Sequence, residues 1–214
     1  MRSPDQSVPT PERPPQSGRW PSAVFSLVAI LALLTLAGWL LWSQAPRMRE
    51  QNPRDHRAVG KKLPALELQP LTGADKPVTL DDLKGRVALI DFWGTWCGPC
   101  KMEMPHLVRV AKTFATKPDF QFLAVSCGQG PQEDLDELRA ETEVYLERAK
   151  LNIPAYADLQ MVTRNAFDSV GQFQGYPTTF LLDRQGVIRY VWLGAQPGIE
   201  EQLQAIIPEL LKEK

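Results

Sequence analysis

ALIDFWGTWCGPCKMEMP, residues 88–105, decides how this chain is read. A short apolar run enters it, Trp96-Cys97-Gly98-Pro99-Cys100 forms its centre, and a helical pattern follows. The run has the length and β-former content of a buried strand. Gly98 allows a tight turn, and Pro99 suits a first helical turn, where its missing N–H is no loss. Cys97 therefore falls where a strand ends and a helix begins. Unpaired N–H groups and the positive end of the helix dipole favour an anion there. Cys97 is the expected attacking thiolate. Cys100, one helical turn deeper, is placed to close a small disulfide ring with it and so to resolve a mixed disulfide.

Composition narrows the alternatives. The chain has 214 residues and a formal net charge of -1, so no bulk field draws it to nucleic acid. Three cysteines are too few for a disulfide scaffold. His56 and His106 are too far apart in sequence for metal-ligand spacing, and a zinc site on Cys97 and Cys100 would need two more ligands. No metal and no separate cofactor are expected, the redox group being the cysteine pair itself. A static structural disulfide and a pair of inert buried thiols stay open. A peroxidase built on a single Thr/Ser-x-x-Cys thiol does not match the paired arrangement.

Four regions are expected. Residues 1–21 are proline-rich and read as a disordered tail. Residues 22–42, SAVFSLVAILALLTLAGWLLW, carry no charge. As a helix they span about 31 Å, close to the hydrocarbon thickness of a bilayer. Tryptophans 20, 39 and 42 lie near the ends, where indoles favour the interface. A cleaved signal peptide would have a shorter apolar core, and Pro46 follows the small-x-small triplet Ser43-Gln44-Ala45. A retained anchor is expected, followed by a linker over 43–62 and a folded domain over 63–214. Within the domain, 88–93, 120–127, 178–183 and 187–194 read as strands, with short flanking strands in ELQPL and PVTL. Residues 98–116, 132–150, 159–170 and 198–213 read as helices. The alternation implies parallel strands, and DRQG implies a terminal antiparallel hairpin.

Two motifs carry a resemblance. DFWGTWCGPCK is similar to the active-site motif of thioredoxins, Pro105 falls at the family's helix-kinking position, and GYPTTFLLDRQG resembles the family's second signature. The N-terminal anchor, the LPALELQPL entry and the helical insert at 131–151 resemble the TlpA/ResA group of membrane-tethered thioredoxins. The resemblance implies an α/β, thioredoxin-like fold: a central mixed sheet with helices on both faces, plus the N-terminal transmembrane helix. It implies a cis bond before Pro177, so that Tyr176, Pro177 and Thr178 present an extended edge to a partner strand beside Cys97, with Trp96, Gly98 and Pro99 supporting the thiols. It places Asp91 at the buried aspartate of the family, beneath Cys100, where burial would raise its pKa and let it take the Cys100 proton.

Two departures stand out. FLAVSC supplies no lysine to pair with Asp91, and Gly98 stands where several TlpA/ResA members carry an acid. Cys127 reads as a small buried hydrophobe, Trp93 and Trp96 as a cover for the thiols, and Glu103 and His106 as solvated surface.

The resulting expectation is a membrane-tethered thiol-disulfide oxidoreductase that reduces protein disulfides. By family likeness its partners are extracytoplasmic proteins such as apocytochromes c and a membrane-embedded electron donor, with residues 22–42 in the lipid bilayer. The alternatives are a tethered binding or chaperone module with a static disulfide, or a disulfide oxidase or isomerase. Three Lys/Arg precede the anchor and six follow it soon after. Taken alone, that bias keeps the domain in the cytoplasm. Against it, a reductase in the cytoplasm needs no tether, and the resemblance places the domain outside; an extracytoplasmic domain is expected.

Overall fold

The computed structural model describes residues 27, 28, 30–40, 52–130 and 134–213. The expected tail at 1–21 and the first part of the expected linker lie outside the described residues. So do parts of the expected anchor at 22–42; its described residues are helical and exposed. Among the described residues, no helix is long and apolar enough to cross a membrane. The chain divides into two compact units, Met1–Pro46 and Arg47–Lys214.

The second unit is built on seven strands: β1 (Glu67–Thr72), β2 (Val78–Thr79), β3 (Val87–Trp93), β4 (Phe120–Ser126), β5 (Ala155–Ala157), β6 (Thr178–Leu182) and β7 (Ile188–Leu193). Their order in the sheet is β2-β1-β5-β4-β3-β6-β7. β3, β4 and β5 are parallel, and β6 and β7 complete the other side as an antiparallel hairpin. Gly186 turns that hairpin with φ 75°, a region that costs glycine nothing, and its N–H donates to the Asp183 carbonyl at 3.0 Å. A short 3-10 helix (Leu80–Leu83) follows β2, and four α-helices complete the unit among the described residues: α1 (Gly98–Phe114), α2 (Leu135–Arg148), α3 (Val162–Gly171) and α4 (Ile199–Lys212).

Strand parity explains the layering. Every residue of β3 is buried, so it must be covered on both faces. Val87, Leu89 and Trp93 pack with α1 and α4 residues such as Met104, Leu107, Leu203 and Ile207. Ala88, Ile90 and Phe92 point the other way, against Ala166 and Phe167 of α3. α2 lays Leu138 on Leu71 and Ala157.

Pro105 lies inside α1 and removes the N–H that would bond the Lys101 carbonyl. The Tyr145 hydroxyl, from α2, donates to that carbonyl at 3.4 Å.

Two expectations need correction. The linker expected over 43–62 is part of the folded unit at its C-terminal end. Ala58 is buried, Lys62 bridges Val187, the Ile188 N–H donates to the Lys61 carbonyl at 2.9 Å, and the Val191 N–H donates to the Pro53 carbonyl at 2.8 Å. This stretch covers the otherwise open edge of β7, so the folded unit starts before residue 63. β5 was not expected as a strand. Its three residues are too few to show a period, and its pairing with β1 and β4 is what makes it one.

Candidate active site

The loop from β3 into α1 presents the cysteines at the carboxyl end of the central strands, where open α/β sheets place their ligands. Cys97 is the N-cap of α1 and Pro99 lies in the first turn. The Cys97 sulfur accepts from the Cys100 N–H at 3.2 Å, the bond expected of an N-cap acceptor. The two sulfurs form a disulfide. Cys97 retains 5% exposure and Cys100 1%, so Cys97 is the sulfur nearer to solvent. Gly98 and Pro99 are exposed around them.

Trp96 roofs this turn, half of it tied down. Its indole N–H donates to the Cys127 carbonyl at 2.9 Å, and its ring meets Tyr176 edge-on at 5.3 Å. Gly94 makes the approach possible, since a β-carbon there would lie 2.5 Å from the Trp96 indole nitrogen. Trp93 is fully buried against Tyr145, at 5.2 Å between ring centroids.

The Tyr176–Pro177 bond is cis. Thr178 begins β6, buried, with its hydroxyl donating to the Gly175 carbonyl at 2.7 Å. The Arg164 guanidinium donates to the Tyr176 hydroxyl. Burial, and then the nearby Cys127, push the Tyr176 hydroxyl well above its ordinary pKa. Cys127 is buried just beyond the end of β4, outside the disulfide.

Asp91 lies in the middle of β3, and its parity puts it on the α1 face with Leu89 and Trp93. It is 1% exposed and accepts from the Thr179 hydroxyl at 2.8 Å. Its neighbour across the parallel pair is Ala124, so no cation meets it from β4. Burial raises the Asp91 pKa well above the usual carboxylate range, the charge of Glu103 raises it further, and the Thr179 bond opposes both.

Glu103 is the residue that sequence reasoning missed. Expected as solvated surface, it is 3% exposed and lies on the buried stripe of α1 with Cys100, Met104 and Leu107. Positions three apart on a helix share a face, so Cys100 and Glu103 are neighbours. One carboxylate oxygen accepts from the Gln196 N–H at 3.2 Å, and among the described residues the other has no partner. Burial lifts the Glu103 pKa to about 7, against the lowering effect of the Gln196 bond. The signal available in the sequence was its spacing from Cys100. His106, by contrast, is exposed as expected, beside Arg109 and Glu200.

The arrangement can carry dithiol chemistry. It has a capped, slightly exposed sulfur, a deeper partner sulfur, and two buried carboxyl groups on that partner's side of the sheet. Like charges so close cannot both ionise cheaply. The pair therefore holds a proton near neutrality.

Comparison with known proteins agrees with this geometry. The AhpC/TSA family pattern matches residues 59–191. A protein from Geobacillus thermodenitrificans named thiol-disulfide oxidoreductase ResA is 30% identical over 187 residues, 86% of this chain and 96% of its own. The thiol:disulfide interchange protein DsbE of Pseudomonas aeruginosa is 29% identical over 195 residues, 90% of this chain and 93% of its own. Among solved structures, a thiol:disulfide interchange protein of the thioredoxin family from Chlorobium tepidum superposes with a TM-score of 0.56 at 26% identity. The match covers 70% of this chain and 95% of that one.

Proposed function

The chain belongs to the AhpC/TSA family and is a thioredoxin-like thiol-disulfide oxidoreductase; from that premise we propose that it reduces protein disulfides at a membrane surface through the Cys97/Cys100 dithiol. The observation that carries the reading is the disulfide at the first turn of α1, on the same face of the sheet as Glu103 and Asp91.

The steps follow from the positions. In the reduced protein the Cys97 thiolate attacks one sulfur of a partner disulfide. The Cys97–partner bond forms, the partner bond breaks, and its other sulfur leaves as a thiolate. Cys100 then gives its proton to the Glu103 carboxylate, its neighbour on the buried stripe of α1, rather than to the Asp91 that the resemblance implies, and attacks the Cys97 sulfur. The Cys97–Cys100 bond closes and the partner leaves fully reduced. Two electrons have passed from the dithiol to the partner, and no separate cofactor is needed. Tyr176, Pro177 and Thr178 supply the extended edge on which a partner strand docks by main-chain hydrogen bonds. Trp96, Gly98 and Pro99 shape the opening around Cys97.

The direction of flow rests on the Gly98-Pro99 pair, which is that of thioredoxin, and on the buried carboxylates, whose charge disfavours a thiolate beside them. Both favour the disulfide form and so a low potential. The expected midpoint of the full chain in a glutathione or dithiothreitol titration lies near the thioredoxin value, about -270 mV. A midpoint above about -180 mV would make the protein an oxidase or isomerase. A disulfide that fails to exchange within minutes would make it a static element of a binding module.

Residues 22–42 supply the tether in this reading, with the catalytic domain on the extracytoplasmic side. There the resemblance places partners such as apocytochromes c and a membrane-embedded thiol donor that resupplies electrons. The uncharged 21-residue run supports the tether. The six Lys/Arg that follow it argue for the opposite orientation. A reporter fused after Lys214 is expected to be active outside the cytoplasm; activity confined to the cytoplasm overturns the orientation.

A further inference from the structure

The loop between β7 and α4, Gly194-Ala195-Gln196-Pro197-Gly198, touches both halves of the site. At one end the Gly194 N–H donates to the Pro177 carbonyl at 2.9 Å. Two residues on, the Gln196 N–H donates to Glu103 Oε1 at 3.2 Å. The Gln196 side chain turns back and donates from Nε2 to the Leu193 carbonyl at 2.7 Å, which ties the loop to the end of β7. Gly194 and Gly198 hold φ of 69° and 77°, values at which a side chain would strain the backbone, so the loop keeps this path only with glycine at both ends.

Glu103 is otherwise poorly served. Among the described residues its second oxygen has no partner, and the Gln196 N–H is the one hydrogen bond that reaches the carboxylate. The groups that face it are few. β3 brings Asp91, which the charge of Glu103 pushes toward its protonated form. Its own helix brings Cys100. α4 begins with Glu200 and Glu201, and Glu200 is engaged by Arg109 at 2.9 Å and by His106 at 3.0 Å. The loop itself carries no charged side chain. A buried carboxylate with a single donor depends strongly on that donor, because nothing else replaces the water it has lost.

We propose that the main-chain N–H of Gln196 is the positioning group that keeps Glu103 in its proton-accepting form, and that the loop links this bond to the Pro177 edge on which the partner docks. The inference rests on the proton-accepting role of Glu103 given above. A partner strand that draws the Pro177 carbonyl also pulls on Gly194, and through it on the one bond that steadies the carboxylate. Docking and proton acceptance are then read by the same five residues.

The test is the pH dependence of the resolving step in the full chain. Mixed disulfide formed with a glutathionylated peptide is followed by tryptophan fluorescence in a single turnover. Gln196→Pro removes the N–H; Gln196→Ala keeps it and removes the tie to Leu193; Glu103→Gln removes the acceptor. The N–H favours the ionised form, so its loss moves the midpoint upward, by about one pH unit for Gln196→Pro. Gln196→Ala moves it the same way by less. If both Gln196 variants keep the wild-type midpoint while Glu103→Gln abolishes the pH dependence, Glu103 keeps its role and the inference falls. If Glu103→Gln keeps the wild-type profile, the role of Glu103 falls and the inference with it. Should Gln196→Pro not fold, a backbone ester at position 196, made by semisynthesis with the α-hydroxy analogue of glutamine, removes the same N–H and leaves the side chain in place; an unmoved midpoint there overturns the proposal.

Discussion

Cys97→Ser is expected to reduce insulin-disulfide reduction to the uncatalysed background, while Cys100→Ser leaves the first step intact and accumulates mixed disulfides. The difference follows from position. Cys97 caps α1, faces the dipole and keeps the little exposure that the pair has. Cys100 is enclosed within the first turn, beside Glu103, and reaches the Cys97 sulfur rather than solvent. A protein lacking Cys97 has no sulfur that a partner disulfide can approach. A protein lacking Cys100 attacks normally but cannot release its partner at a useful rate. Trapped partners of the Cys100→Ser variant, recovered by non-reducing electrophoresis and identified, would also name the substrates. Preferential alkylation of Cys100 in the reduced protein would reverse the assignment.

The second large effect is expected at the buried carboxylates. Glu103→Gln should slow resolution by about 10²-fold or more, the range of a lost general base, and leave attack by Cys97 nearly unchanged. In the wild type, a Glu103 pKa raised to about 7 makes resolution fall as pH drops through neutrality, because a protonated carboxyl cannot accept the Cys100 proton. The Gln variant should lose that dependence. Glu103 is the neighbour of Cys100 on the buried stripe of α1, so Asp91→Asn, which mimics a protonated carboxyl, should slow resolution less than Glu103→Gln. Single-turnover decay of the mixed disulfide from pH 5 to 9 reads both. A larger loss in Asp91→Asn would return the proton to Asp91.

The same burial has a cost in stability. An acid whose folded pKa lies above its unfolded value stabilises the fold while both states hold the proton. That stability is lost as pH rises from the unfolded value, 4.5, toward the folded one near 7. Glu103→Gln should therefore be the more stable protein at pH 8.

The site was legible to different degrees for physical reasons. A thiol pair at a strand-to-helix boundary is a local device. Its chemistry depends on spacing, a proline and a dipole, all readable along the chain. Asp91 was also readable, as a lone carboxylate inside an apolar strand. Glu103 was not, because a single acid on an amphipathic helix is ordinarily solvated. Whether it lies under the sheet or faces water depends on the roll of α1, which its partners set. The segment at 52–62 misled for a related reason. Polar, basic and proline-bearing, it has the composition of a tether, yet the open edge of β7 offers its main chain hydrogen bonds that composition does not reveal.

By itself the sequence determined the alternation of strands and helices and the paired cysteines at the head of α1. Each of these depends on residues within one helical turn or one strand of each other. Tertiary structure alone decided what surrounds them. Thr179 reaches Asp91 across the antiparallel β3–β6 register, and Gln196 reaches Glu103 from a loop 93 positions away. Such pairs leave no local pattern, because they form where the sheet brings distant segments together. In a space without water, each contact then governs whether a carboxylate keeps its proton.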